Sequence, residues 1–275
     1  MQTIDAHQHF WHYHPNTHSW ITDDMDVIRK DFLPSDLMPL LAENNIDGTV
    51  AVQADQSEKE TGFLLLAAEE NNFIKAVVGW TDLCAENILE RLEYYKSFKK
   101  LKGFRHILQA EQPSFMLQSK FLRGISLLKD FDFTYDILIY PEHLSAALQL
   151  VNLFPEQMFV IDHLAKPLIK KQEINEWANG MKLLSAHKNV YCKISGMVTE
   201  ADVKNWKQED FIPYLDVVTN AFGTDRLMYG SDWPVCLVAA SYSKCIGIVK
   251  KYFQSFSETE QQKIFGLNAT SFYKI

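Results

Sequence analysis

The sequence predicts an α/β fold, a (β/α)8 TIM barrel, on three observations. Short apolar runs recur about eight times along the 275 residues, stretches with helical spacing alternate with them, and polar residues able to carry chemistry stand at the ends of the runs. Runs of this length suit buried strands. Strict alternation requires parallel strands joined by helical crossovers, and eight strands close a barrel. A doubly wound open sheet is the competing architecture, but it would carry a Gly-rich phosphate turn after an early strand, and none is present.

In chain order the strand-like runs are Thr3 to His9, Gly48 to Gln53, Ala76 to Trp80, Gly103 to Ile107, Phe133 to Tyr140, Met158 to His163, Val190 to Ser195 and Leu227 to Asp232. Helical spacing appears between them at Glu60 to Glu70, where Phe63, Leu66 and Ala67 share a side, and at Ala85 to Phe98, Phe121 to Asp130 and Leu144 to Leu153. It continues at Ile174 to Ala186, Tyr214 to Ala221 and Ser243 to Phe253. No Pro/Gly/Ser linker or low-complexity segment divides the chain, so residues 1–275 read as one domain.

Composition bounds the function. A hydrophobic content of 47% supplies a sizeable core, and a net charge of −8 without a dense basic run argues against nucleic acid or anionic membrane as partner. Small substrates of little charge fit better. Met1 leads directly into a strand with no cleavable leader, and no apolar run reaches the length of a membrane span, which makes the cytoplasm the expected location. Cys84, Cys192, Cys236 and Cys245 are scattered without a Cys-X-X-Cys pair and read as reduced thiols with no assigned role.

In a parallel barrel every strand delivers its C-terminal end to one rim, so residues distant in sequence converge there. His7 and His9 alternate on the first strand and project from one face, roughly 7 Å apart along the backbone. His163 ends the sixth strand and Asp232 the eighth. Three imidazoles and one carboxylate suit a borderline cation, zinc or manganese, with a position left for water or substrate. Such an ion lowers the pKa of bound water and polarises a carbonyl, which are the needs of ester hydrolysis. Asp232 would take the proton from water and return it to the leaving group.

Other polar groups reach the same rim: Gln53 and Asp55, Trp80, Arg105 and His106, Tyr140, and Lys193 with Ser195. Arg105 and His106 are adjacent, so alternation sends only one inward, and the other would bridge strand and helix. Asp136 either contacts substrate or caps a loop. Lys193 and Ser195 share a face, and Gly196 leaves room for a ligand near the backbone. His143 and His187 fall in or beside helical stretches and read as packing or surface residues, while His12, His14 and His18 belong to a first long loop that reads as solvated.

Five motifs in order resemble the amidohydrolase superfamily: Ile4-Asp-Ala-His7-Gln-His9-Phe-Trp11, Gly103-Phe-Arg105-His106, Asp162-His163-Leu-Ala-Lys166-Pro167, Cys192-Lys193-Ile-Ser195-Gly196 and Gly230-Ser-Asp232-Trp-Pro234. His-X-His alone is weakly specific, whereas the ordered set is strongly so. More narrowly it resembles the sugar-lactonase branch that includes L-fucono-lactonases, L-rhamnono-lactonases and 2-pyrone-4,6-dicarboxylate lactonase. The likeness runs the length of the chain and includes Arg29 to Pro34, Val52 to Ala54 and Phe265 to Ala269. The resemblance implies a barrel with His7, His9 and His163 around one divalent metal or the substrate carbonyl, with Asp232 as acid and base. It also admits catalysis without metal, the histidines hydrogen-bonding the carbonyl directly. Two-metal members differ, because this chain offers Arg105-His106 in place of a bridging Lys and ends its fifth strand at Tyr140 without a His.

A neutral sugar lactone calls for hydroxyl recognition by groups such as Gln53, Asp136, Lys193 or Ser195 and an aromatic wall such as Trp80 or Trp233. A dicarboxylate would call for several Arg at the rim, and Arg105 is the one clear candidate. The expected activity is opening of L-fucono-lactone or a close L-sugar lactone to the aldonate. The alternatives are a nonoxidative decarboxylase of aromatic acids in the same superfamily and a barrel whose histidines are structural.

Overall fold

All eight apolar runs form strands in the computed structural model, which describes residues 2–275. They are β1 (Ile4–Gln8), β2 (Gly48–Val52), β3 (Ile74–Gly79), β4 (Leu101–Ile107), β5 (Thr134–Leu138), β6 (Phe159–Ile161), β7 (Val190–Ile194) and β8 (Leu227–Tyr229). Each pairs in parallel with the next in sequence order. The barrel closes past the ends of its first and last strands, where His9 N–H donates to Trp233 O at 2.7 Å and Asp232 N–H to His7 O at 2.8 Å. The seam therefore lies at the rim and joins four of the expected site residues, His7, His9, Asp232 and Trp233.

The crossovers are α1 (Pro34–Asn44), α2 (Glu58–Glu70), α3 (Ile88–Tyr95), α4 (Ser119–Leu128), α5 (Leu144–Leu153) and α6 (Asn175–Ser185). A short turn α7 (Met197–Glu200) precedes α8 (Gln208–Phe222), and α9 (Tyr242–Phe253) follows the last strand. Two helical segments absent from the periodicity reading complete the chain, α10 (Glu258–Gln262) and α11 (Asn268–Tyr273), and α1 was also not anticipated. Pro39 interrupts the α1 pattern at the middle of the helix, where it removes one backbone donor without ending the run.

The apolar core divides at the barrel wall. Outside, buried Phe104, Tyr135, Phe159 and Tyr229 of the strands pack against helix residues such as Leu215 of α8. Inside, Ile4, Ala6, Val50, Val52, Ala76, Val78, Val160 and Met228 fill the lower barrel, and Phe272 and Tyr273 of α11 close it from below. That plug needs Gly266, where a Cβ would come within 2.0 Å of Gln2 O. Above the apolar layer the interior turns polar with Arg105, Asp136, Asp162, Lys193 and His7, all buried.

Candidate active site

Strand β1 slips its register against β2 between Asp5 and Gln8. Such an irregularity re-aims side chains. Asp5 turns toward α9, accepting from Tyr242 Oη–H at 2.9 Å and from Ser231 N–H at 2.9 Å, and burial pushes its carboxyl up to about 6. His7 and His9 turn to the interior and rim, with their Nε2 atoms 3.2 Å apart. His9 Nε2 lies 3.3 Å from Asp232 Oδ1, His163 Nε2 3.8 Å and His7 Nε2 4.0 Å from the same oxygen.

These spacings fit a divalent ion on His7, His9 and Asp232, and a second group of His7, Asp162 and His163 adjoins it. Donors about 2.0–2.1 Å from a tetrahedral centre stand about 3.3 Å from one another and cannot exceed about 4.2 Å. The tautomers are set from behind. His9 Nδ1 faces Val52 O at 2.7 Å and must donate, since a carbonyl only accepts, which leaves Nε2 free to bind. His163 Nδ1 shares a 2.8 Å bond with Ser195 Oγ. Burial holds the His7 and His163 imidazoles well below their ordinary value, so both are neutral ligands at pH 7. Arg105 Nη1 stands 3.2 Å from His7 Nε2, so an incoming ion competes with a guanidinium for that lone pair.

His163 arrives by an unusual route. His163, Leu164, Ala165 and Lys166 follow one another at φ of 52°, 55°, 56° and 48°, a left-handed turn of four residues that all carry side chains. Each such residue costs roughly 1–2 kcal/mol, so neighbours must hold it. Trp177 Nε1–H donates to Leu164 O at 2.6 Å, Lys166 N–H to His163 O at 2.7 Å, and Gly196 presses against the His163 ring. The turn places His163 and Lys166 on the same wall of one cavity.

Beneath the histidines lies a buried ionic layer. Lys193 Nζ contacts Asp136 Oδ2 at 2.5 Å, Asp162 Oδ1 at 3.0 Å and His7 Nδ1 at 3.1 Å. Arg105 Nη1 meets Asp162 Oδ2 at 3.0 Å, Arg105 Nη2 donates to Gln53 O, and Tyr273 Oη–H donates to Asp136 Oδ2 at 2.9 Å. Two cations thus face two carboxylates. Burial works to raise the Asp162 carboxyl, but Lys193, His7 and Arg105 outweigh it and hold it well below the ordinary value. For Asp136 burial prevails over Lys193 and lifts it to about 6. Asp232 resembles Asp162: burial raises it, but His163, His9 and Lys166 together hold it below its ordinary value. It is a carboxylate at neutral pH.

A cavity of about 530 Å³ opens over this cluster, with His9, His163, Asp232 and Arg105 at its base. Arg105, and not His106, faces the barrel. His106 instead stacks on Phe115 and accepts from Trp80 Nε1–H at 3.3 Å, outside the cavity. Several residues expected to touch substrate do not line the cavity. Asp136 and Lys193 are held below it by their mutual ion pair, and Gln53 donates to Arg105 O at 3.1 Å. Ser195 lies behind His163, and Trp233 packs against Phe10 and Phe32. Strand alternation places a residue on a face but not at a depth, which is why these were grouped with the rim.

The upper walls come largely from segments with no repeating pattern. Thr17, Ser19, Trp20 and Met25 come from the β1–α1 loop, whose base is pinned by reciprocal backbone bonds between Trp11 and Phe32 at 2.9 and 3.0 Å. His18 of that loop is buried against Trp11 and Tyr13, not solvated. Asp55 and Gln56 follow β2, Gln109 follows β4, Tyr140 follows β5, and Lys166 and Glu200 form a 2.7 Å ion pair on the wall that carries His163. Asp55 and Tyr140 were legible as strand-end groups, and Lys166 as part of a motif without a role.

A model of the amidohydrolase family matches residues 4–275. The L-fucono-1,5-lactonase of Burkholderia multivorans is 36% identical over 284 residues, covering 99% of this chain and 96% of that protein. The L-fucono-1,5-lactonase of Burkholderia ambifaria is 35% identical over 280 residues, covering 99% and 95%. A crystal structure of a Burkholderia multivorans amidohydrolase with bound zinc superposes with a TM-score of 0.97 at 36% identity, covering 100% of both chains.

Proposed function

The chain belongs to the amidohydrolase family, and we propose that it hydrolyses the lactone of a neutral sugar acid, L-fucono-1,5-lactone or a close L-sugar lactone, to the open-chain aldonate. The observation that carries this reading is the buried His7, His9 and Asp232 group, with His163 Nε2 3.8 Å from Asp232, where His9, His163 and Asp232 line the base of a polar cavity. Full-length similarity to two proteins named L-fucono-1,5-lactonase supports it. The matched span and the single eight-stranded sheet support reading 1–275 as one domain.

His7, His9, His163 and Asp232 would hold one divalent ion. Zinc is the ion assigned on this nitrogen-and-oxygen set, with manganese the runner-up. Bound there, it supplies a Lewis acid for the lactone carbonyl and lowers the pKa of a water molecule. Asp232, already a carboxylate, accepts a proton as water oxygen bonds to the carbonyl carbon. The bond from that carbon to the ring oxygen then breaks, and Asp232 returns the proton to the departing alkoxide. Water and lactone become a hydroxy acid, which releases one proton on ionising.

Charge in the cavity favours a neutral substrate. Asp55, Glu200 and Asp232 would repel an anion, and the Arg105 guanidinium is already engaged by Asp162 and Gln53. A dicarboxylate would find one cation on the wall, Lys166, and that one is paired. No helix among the described residues is long and apolar enough to cross a membrane, and the substrate is read as a small molecule met in the cytoplasm.

The test is a pH-indicator assay against L-fucono-, L-galactono- and L-rhamnono-lactones, a pyrone dicarboxylate and an aromatic acid. Acid release from a neutral lactone is the expected result. Silence on all lactones with CO₂ release from the aromatic acid would replace this reading with the decarboxylase.

A further inference from the structure

The Lys166–Glu200 ion pair is used by no step above, yet both residues line the cavity that holds His163 and Asp232. We propose that this pair is the hydroxyl-recognition element of the site, with Lys166 donating to one ring hydroxyl and Glu200 accepting from its neighbour on the polyhydroxylated lactone. The inference rests on the lactonase reading and adds to it the residues that select the sugar.

Three observations support the assignment. The first is unused bonding capacity. Lys166 Nζ has three donors, and Glu200 Oε1 takes one of them at 2.7 Å. Thr199 Oγ1–H is directed to Gly196 O at 2.8 Å and not to Glu200, and Glu200 Oε2 has no hydrogen-bond partner among the described residues. The pair is 15% and 17% exposed, so its open side meets the cavity and its remainder is enclosed. The second is complementarity. A donor and an acceptor 2.7 Å apart match two neighbouring ring hydroxyls, whose oxygens stand about a hydrogen-bond length apart when gauche. The third is placement. Lys166 ends the left-handed turn that carries His163, and Glu200 ends the α7 turn that follows Gly196, itself packed on the His163 ring. Recognition and the reacting centre thus share one rigid wall, so a hydroxyl bound by the pair fixes the carbonyl relative to Asp232.

Two other roles make different demands. A purely structural clamp between the β6–α6 loop and α7 would affect every lactone alike. So would direct stabilisation of charge at the carbonyl by Lys166. Hydroxyl recognition alone distinguishes a substrate with hydroxyls from one without.

The test measures kcat and KM of the wild type, Lys166→Met, Lys166→Arg and the near-isosteric Glu200→Gln on L-fucono-1,5-lactone and on δ-valerolactone, which has no hydroxyls. Urea unfolding of each variant checks that it is folded. The expected result is a fall of roughly 100-fold in the ratio of the two kcat/KM values for Lys166→Met and Glu200→Gln, located in the KM for the sugar lactone, with partial recovery in Lys166→Arg. Parallel loss on both lactones, or a loss confined to kcat, overturns the proposal while leaving the lactonase intact. A folded wild type that opens neither lactone overturns the lactonase reading and this inference with it.

Discussion

Gly196→Ala isolates the mechanical support of His163 from its chemistry. Gly196 sits at φ +62°, and a Cβ there would lie 2.7 Å from His163 Nδ1, 2.8 Å from Cγ and 3.0 Å from Cβ. Ordinary van der Waals contact begins at about 3.4 Å, so the ring must withdraw by several tenths of an ångström. It cannot do so freely, because Nδ1 is held by Ser195 at 2.8 Å and the backbone by the left-handed turn. The left-handed conformation costs an alanine about 1 kcal/mol and the overlap a further 1–2 kcal/mol. Displacement of a reacting group by close to 1 Å costs about 100-fold in rate. We expect a loss of about 2–3 kcal/mol in urea unfolding and about 100-fold in kcat/KM on L-fucono-1,5-lactone. Gly223→Ala is a control for strain away from the site: Gly223 also has φ +62° with nothing within 4 Å of its Cβ, but its ψ of 177° is open essentially to glycine alone, so its stability loss should be the larger. It should lose stability alone. Turnover of Gly196→Ala within twofold of wild type would refute the idea that His163 is held in place from this side.

Asp232→Asn should preserve the fold and substrate affinity while lowering kcat by about 10²–10⁴-fold; near wild-type turnover would remove Asp232 as proton carrier. Chelation should lower kcat/KM, with recovery on adding zinc or manganese, and His7→Ala and His163→Ala should lose bound metal together by elemental analysis. Full activity in verified metal-free protein would transfer carbonyl polarisation to the histidines and Arg105. Glu60 gives a pH prediction. Its carboxyl accepts from Ala54 N–H at 3.0 Å and Asp55 N–H at 2.8 Å, and burial lifts it from an ordinary 4.5 to about 8. Because the folded value is the higher one, its contribution is fully present below pH 4.5 and is lost as pH rises to about 8. Glu60→Gln should flatten the fall in unfolding free energy across that window by a few kcal/mol, and parallel curves for the two proteins would show that Glu60 is not the titrating group.

The barrel was legible because its strands are buried on both sides and read as continuous apolar runs, the one pattern that survives without tertiary context. His7, His9, His163 and Asp232 were legible because parallel topology sends every strand end to one rim. Depth was not legible. Lys193 and Asp136 share the inward face with His163, but the ion pair that draws them below the cavity exists only after β5 and β7 are set in the barrel. Trp233 follows Asp232, whose left-handed backbone at φ 58° turns the next side chain out toward Phe10 and Phe32. Thr17, Trp20 and Glu200 come from loops and a short turn, where no periodicity marks a residue as facing a ligand.

The buried ionic layer makes better sense as a positioning device than as a source of stability. Removing Lys193, Arg105, Asp136 and Asp162 from water costs several kcal/mol per ion, which their attraction at best offsets. An apolar filling like the Val50, Val52 and Met228 layer beneath would stabilise the barrel at no such cost. What an apolar filling could not do is present Asp162 Oδ1 at 3.3 Å and Lys193 Nζ at 3.1 Å to the Nδ1 side of His7, opposite the Nε2 that faces His9 and Asp232. Both partners are fixed in turn, Asp162 by Arg105 and Lys193 by Asp136, and Asp136 by Tyr273 of the closing helix. The orientation of one imidazole at the top of the barrel is therefore tied, through four charged side chains and a tyrosine, to the helix that closes the bottom.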